Sequence, residues 1–275
     1  MRKIVLVGLV LFVGMFGVSK NAYCAGISGA TPQEQGTFSI GLEQDYIFDR
    51  DLQNQDVSYF EGPAELSGTL KYKVKDLGRT MVKVGYQMSK NLNVYAKLGA
   101  TNSGGKLVST VDGTWTDGVD NGTFDGKEED KGNSAFAGGM GLKLTFPLKN
   151  NWIIGTDAQY LIHQNDFSGK ATLRVYDDLG NLIGEESGST IGSATIYEWH
   201  IAPFVAKSFG KFVPYAGVKY SDMQVKSEGM ETLKAKNNLG VFVGADFNLS
   251  KNFSLNLEGR FVDESAMSIT AVFTF

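Results

Sequence analysis

Beyond residue 25 the hydrophobic positions of this chain recur at every second residue, in short stretches broken by Gly, Asn, Ser and Lys. The last stretch shows it best: Met267, Ile269, Ala271, Phe273 and Phe275 alternate with Ser268, Thr270, Val272 and Thr274. Successive side chains of a strand point to opposite faces, so this period predicts strands with one apolar and one polar face. Residues 253–261 set Phe253, Leu255, Leu257, Gly259 and Phe261 against Ser254, Asn256, Glu258 and Arg260. Residues 239–249 set Leu239, Val241, Val243, Ala245, Phe247 and Leu249 against Gly240, Gly244, Asp246 and Asn248. Comparable segments lie at about 37–48, 79–88, 92–101, 135–146, 152–162, 195–206 and 212–221, which makes ten. Each has roughly the 9–11 residues that a tilted strand needs to cross a bilayer.

The connections alternate in length. Residues 89–91, 148–151, 208–211 and 250–252 are tight turns, whereas 49–78, 102–134, 163–194 and 222–238 are long and polar, with a short last one near 263–266. Short turns at one end and long loops at the other are the habit of membrane barrels. Aromatic residues mark both ends: Phe38, Phe146, Trp152, Phe212, Phe247, Phe253 and Phe275 beside the tight turns, and Tyr46, Phe48, Tyr160, Tyr197, Trp199, Tyr220 and Phe261 toward the long loops. Rings of this kind favour the two bilayer interfaces. The expectation is therefore an all-β fold, a transmembrane antiparallel up-and-down β-barrel of about ten strands over 37–275, with eight or twelve as alternatives. Alternation in Leu70, Tyr72 and Val74 against Lys71, Lys73 and Lys75, and around Leu173 and Val175, suggests that the first and third long loops extend the wall as hairpins.

If the apolar parity faces lipid, the opposite parity collects Glu43, Asp45, Arg79, Lys83, Lys97, Lys143, Asp157, Glu198, His200, Lys219, Asp246, Glu258 and Arg260. The lipid parity carries no charge in any of the ten segments. A midplane charge facing lipid costs roughly 2–4 kcal/mol, so a bilayer would enforce this separation. Apart from His200 the inward set holds six acids and six bases, a balance that suggests mutual pairing. A barrel near eight strands is filled by its own side chains, whereas a 16-stranded one holds water. The expected lumen is narrowed by an ion-pair network, with a narrow porin-like channel as the alternative.

Composition sets the compartment. Arg2 and Lys3 precede an apolar run from Ile4 to Val18 and then Ala22-Tyr23-Cys24-Ala25, the layout of a secretory signal peptide over residues 1–24. Residues 25–36 would form a short periplasmic segment. Losing Arg2, Lys3 and Lys20 takes the formal charge from −4 to −7 and removes the one Cys. An exported fold without disulfides must be held otherwise, as a closed sheet can be. The acidic balance excludes nucleic acid as partner.

The signal peptide, the glycine-rich amphipathic strands and the final strand ending on Phe275 resemble the small outer-membrane β-barrel proteins of the OmpA-like and OmpX-like kind. The resemblance implies an outer-membrane location in a Gram-negative-type envelope, contact with lipid and lipopolysaccharide, and passage through periplasmic chaperones and the barrel-assembly machinery. That machinery would read Ile269, Ala271, Phe273 and Phe275. It also implies a structural or surface-interaction role through the loops.

The two histidines are the candidates for chemistry. His163 has Asp157 and Asp166 nearby in sequence, where a rim hydrolase or acyltransferase would keep an acid–base pair. A ten-stranded protease of the omptin kind resembles this architecture and places an acid and a histidine two apart on one strand; here only Glu198 stands so to His200. Both histidines read as members of the luminal network, and the chain is expected not to be an enzyme and to need no cofactor. The acid-rich stretch Asp112–Asp130 does not match an EF-hand, and reads as a solvated loop.

Overall fold

The computed structural model describes residues 29–61, 64–227 and 231–275; the expected signal peptide lies outside them. The strands are β1 (Phe38–Asp51), β2 (Gln55–Glu61), β3 (Ala64–Gln87), β4 (Leu92–Thr101), β5 (Lys106–Thr116), β6 (Asn121–Gly132), β7 (Phe136–Pro147), β8 (Trp152–Asp177), β9 (Leu182–Lys207), β10 (Phe212–Ser227), β11 (Leu233–Lys234), β12 (Leu239–Asn248), β13 (Phe253–Phe261) and β14 (Ser265–Thr274).

Ten of them close a ring. Antiparallel pairing runs β1–β3–β4–β7–β8–β9–β10–β12–β13–β14, and β14 returns to β1 with Ser39 opposite Thr274 and Tyr46 opposite Met267. Closure removes the sheet edges that lipid could not satisfy. The tight turns hold residues suited to left-handed backbone, such as Asn150 at φ 57° and Gly210 at φ 75°. Leu98 and Met140 are 58% and 66% exposed on the outer face, a burden only hydrocarbon would relieve. Paired rings stand at the rims, among them Phe38–Tyr86 at 4.6 Å and Phe212–Phe247 at 5.2 Å at the tight-turn end. Trp199–Tyr220, at 5.6 Å, stands at the other.

Beyond the long-loop end the wall continues. β4 stops at Thr101 and β7 starts at Phe136, and above them the β5–β6 hairpin fills the gap, β5 pairing with the outer half of β3 and β6 with that of β8. The first and third loops are continuations of β3, β8 and β9, so the ring stays at ten. The acid-rich stretch is this hairpin and not an irregular loop. Its acids divide by parity: Asp112 and Glu129 face outward to Lys71, Lys106 and Lys127, while Glu128 and Asp130 face inward.

Polarity inverts along the same strands. In β3 the inward residues are Arg79, Met81 and Lys83 near the membrane, and Tyr72 and Val74 above it. The parity switches around Asp76, at φ 53°, whose carboxylate accepts the Tyr46 hydroxyl at 2.9 Å. Outside the bilayer the wall is built like a soluble protein, apolar within and charged without.

Candidate functional site

The lumen has three layers. At the tight-turn end residues 29–36, the described part of the segment expected at 25–36, run along the barrel mouth. Ala30 is fully buried, and its amide and that of Thr31 donate to Asp246 Oδ2 at 2.8 and 2.7 Å. Lys143 Nζ donates to the Gly29 carbonyl at 2.5 Å. Beside this segment Ile153, Phe204, Val213, Tyr215 and Phe242 form an apolar cluster. The inward parity that carries the charges also carries this cluster: Phe242 shares it with Gly244 and Asp246. The ring fits because the neighbouring inward position, Gly217, has no side chain. Below Lys83 and Lys143 a cavity of about 510 Å³ opens toward the tight-turn end, its wall including Asn93, Gln87, Thr145 and Asn248.

The middle layer is ionic. Arg79 on β3 reaches across the ring to β9, donating from Nη1 and Nη2 to the two Glu198 oxygens at 2.6 and 3.1 Å, and from Nε to Asp45. Asp45 also accepts Arg260 Nη2 at 3.1 Å, and Arg260 Nε lies 2.7 Å from Glu264. Glu264 further takes Arg50 at 3.1 Å and Lys219, while Lys219 meets Asp263 at 2.8 Å. Burial pushes the Glu264 carboxyl up, but Lys219, Arg260 and Arg50 outweigh it and hold it well below the usual range. Glu43 accepts Lys97 at 2.7 Å with both side chains fully buried. Asp157 takes the Tyr95 hydroxyl at 2.8 Å and His200 Nε2 at 3.1 Å. Glu258 takes the Tyr215 hydroxyl at 2.9 Å, and Asn256 bridges Tyr215 to Asp246. Lys83 stands 3.7 Å over the Tyr95 ring, an attraction of the cation–π kind.

All thirteen residues of the inward parity point inside the ring. Arg50, Asp263 and Glu264 complete the layer and were missed, because they lie in segments read as loops. The continued alternation from Asp45 and Ile47 to Arg50, with one slip of register after Ile47, was the signal for the first of them. Glu198 and His200 do not form one pair: Glu198 serves Arg79 and lies 3.6 Å from His163, while His200 serves Asp157. Asp166 faces outward, away from His163, whose Nδ1 meets Asn165 at 2.7 Å.

The outer layer is apolar. Ile47, Leu52, Val74, Leu77, Phe167, Ile196, Met223, Val225 and Leu233 pack together over the ionic layer, drawn from strands on opposite sides of the ring. Two loops join above it, where Leu52 bridges Ala235, Gln53 N donates to Lys234 O at 2.7 Å and Lys236 N to Asp51 O at 3.0 Å. The His200–Asp157 pair lies among the ionic side chains, while His163 stands level with Ile196 of this layer, its cross-strand neighbour on β9.

A closed ten-stranded ring with an apolar belt, aromatic rims and a charged interior defines a transmembrane β-barrel of the outer-membrane type. No family model and no curated protein matches the chain. Among solved structures it is similar to the outer-membrane protease OmpT of Escherichia coli, at 12% identity and TM-score 0.49 over 90% of this chain and 97% of that one. It is similar to the Ralstonia pickettii toluene transporter TbuX at 11% identity and TM-score 0.29, covering 94% and 95%. The translocator domain of the Neisseria meningitidis autotransporter NalP follows at 12% and 0.30, covering 90% of each. These likenesses are of fold, and they do not carry the narrower resemblance to OmpA-like and OmpX-like barrels. The expectation that the chain is not an enzyme is corrected by the OmpT likeness: such barrels include a protease as well as transport proteins.

Proposed function

We propose that the chain is an outer-membrane barrel whose lumen is shut at rest and which works from its outer face, through the sheet that continues above the membrane. One observation carries this: the Arg79–Glu198 bridge spans the ring and ties into Asp45, Arg260, Glu264 and Lys219, leaving a cavity of only about 20 Å³ among these side chains. A water needs roughly that much room, so no file of hydrated ions fits. In this reading residues 1–24 are removed on export, both termini face the periplasm as an even strand count requires, and the assembly machinery reads Ile269, Ala271, Phe273 and Phe275. Lipid and lipopolysaccharide surround the belt, and a surface ligand meets the extension.

A narrow pore is the second reading, favoured by the 510 Å³ cavity at the tight-turn end. Conductance of the refolded chain in a planar bilayer, with heat-modifiable gel mobility to show that the barrel formed, separates the two. Silence is expected. Stable ion-selective steps from wild-type protein would replace the shut barrel with a channel.

A further inference from the structure

We propose that the outermost length of β9, residues 182–193, is a strand-addition site for an extended peptide presenting basic and apolar side chains on one face. This rests on the proposed reading that the extension is displayed outside the membrane. Two independent features lead to it, an open backbone edge and an acid-lined groove beside it.

The edge comes first. From Ala194 to Ala206, β9 is flanked by β8 on one side and β10 on the other. β10 ends at Ser227, opposite Ala194, and by Leu233 the chain has turned back to pair with Val225. Beyond that point, among the described residues, β9 pairs with β8 alone. Among the described residues only the Ser227 hydroxyl, which donates to the Ser193 carbonyl at 2.8 Å, reaches into the lane that β10 would have filled, and every second amide and carbonyl from 182 to 192 points into it. Natural edges are blunted by bulges, proline or inward charge. Here the β8–β9 register is unbroken from Trp152–Lys207 to Val175–Gly184 and slips only at the tip, before Tyr176–Leu182; the segment contains no proline, and its one inward charge is Glu186. Ile191 is 90% exposed. At Gly188 and Gly192 a Cβ would meet nothing within 4 Å, so the sheet face is uncovered beside this edge.

The groove comes second. Above the apolar layer, against which Leu70 packs, the inner face of the extension stays partly open, with Leu70, Val111 and Leu173 only half-buried. Leu70, Val111, Gly126 and Leu173 form the floor of a cavity of about 310 Å³ whose lining includes Glu128 and Glu186. Glu186 stands on β9 itself, beside the vacant lane, opposite Leu173. Lys127, which also reaches this rim, is engaged by Glu129 at 3.0 Å. The groove therefore offers apolar surface with two acids and no free base, and a like-charged partner would be rejected. Main-chain pairing would supply the affinity and the side pockets the selectivity, as in other strand-addition sites.

The test uses the refolded full chain in detergent micelles. The probe is a fluorescent peptide with lysine and leucine alternating on one face and threonine on the other, followed by anisotropy. Saturable binding is expected. It should be lost when the amides that would pair with β9 are N-methylated, and also when glutamate replaces lysine in the probe. Glu128→Gln with Glu186→Gln should weaken it about tenfold, the order expected for two partly exposed ion pairs. Absence of binding, binding that survives N-methylation, or equal binding of the acidic peptide would each overturn the proposal. So would self-association in nanodiscs that Ser187→Lys with Ser189→Lys abolishes, since the edge would then belong to a second copy. The peptide arms need no variant to fold. They also read the edge whether or not the barrel conducts, so failure of the shut-lumen reading remains distinguishable.

Discussion

Phe242 lies in a lumen otherwise rich in charge, and Gly217 is the reason it fits. A Cβ at Gly217 would stand 2.4 Å from Phe242 Cζ and 2.3 Å from the Pro203 carbonyl oxygen. The ring could turn, but the oxygen is fixed by the β9–β10 ladder. Gly217→Ala should therefore cost about 1–3 kcal/mol by overpacking, read from denaturant midpoints in detergent. Gly188→Ala, with open space around it, should cost almost nothing. Arg79 gives the opposite case, in which removal and not addition does the damage. Arg79→Ala leaves Asp45 and Glu198 buried without their main partner, and about 3–5 kcal/mol should go, with Arg79→Met no better because the loss is of charge and not of volume. Facing was legible in the sequence at this scale, since parity put all thirteen charged and histidine residues inside. Partner choice was not: Glu198 meets Arg79 only because the ring curves β9 back toward β3. Phe242 stayed hidden because Leu239, Val241 and Val243 flank it with apolar residues on the other parity, so the segment gave no reason to set it apart.

The ten ring strands and their tight turns could be read from period and turn residues, whereas the β5–β6 hairpin could not. Its inward face, Leu107, Ser109, Val111, Gly113 and Trp115, mixes apolar with small and polar residues, and its partner strand is mostly acid and glycine. What fixes it is the company of β3 and β8 on either side, information absent from a local window. Its outer face is tied by charge. Hydrogen bonds from Lys106 and then Lys127 hold the Glu129 carboxyl down at about 2, below the roughly 4.3 of a free glutamate. A depressed folded value means the stabilisation is present above about pH 4.3 and fades as pH falls toward 2. Glu128, inside the hairpin, runs the other way: burial and then Asp130 push it up, so its protonation on acidification favours the fold. The test follows Trp115, whose indole donates to the Tyr176 carbonyl at 2.9 Å, in a background with Trp152 and Trp199 replaced by phenylalanine. Its emission should change as pH falls from about 4.3 toward 2. Glu129→Gln should flatten that response, and Glu128→Gln should leave it standing.

At the scale of the whole barrel the layers act in series, and barriers in series do not substitute for one another. An ion entering from outside would meet the apolar layer around Ile47, Val74 and Met223, then the Arg79–Glu198 crossing, then residues 29–36 in the far mouth. Opening one layer leaves the others shut, because an apolar constriction excludes ions by dewetting even where the charges behind it have been removed. Arg79→Ala with Arg260→Ala should therefore lower the melting temperature yet stay silent in a planar bilayer. Ile47→Gly with Met223→Gly, which thins the apolar layer alone, should be silent too. Asp246→Asn frees the Ala30 and Thr31 amides from their charged acceptor and should loosen only the far mouth. Combining all five substitutions should produce small, ion-conducting steps, provided the ring keeps its gel-mobility shift. The order of appearance is the discriminating result. If Arg79→Ala with Arg260→Ala conducts by itself, the apolar layer is no barrier and the ionic crossing alone holds the lumen shut. If the fivefold variant stays silent as a verified barrel, the lumen is closed by packing of the wall itself, and the loops that meet through Leu52 and Ala235 become the next contact to cut.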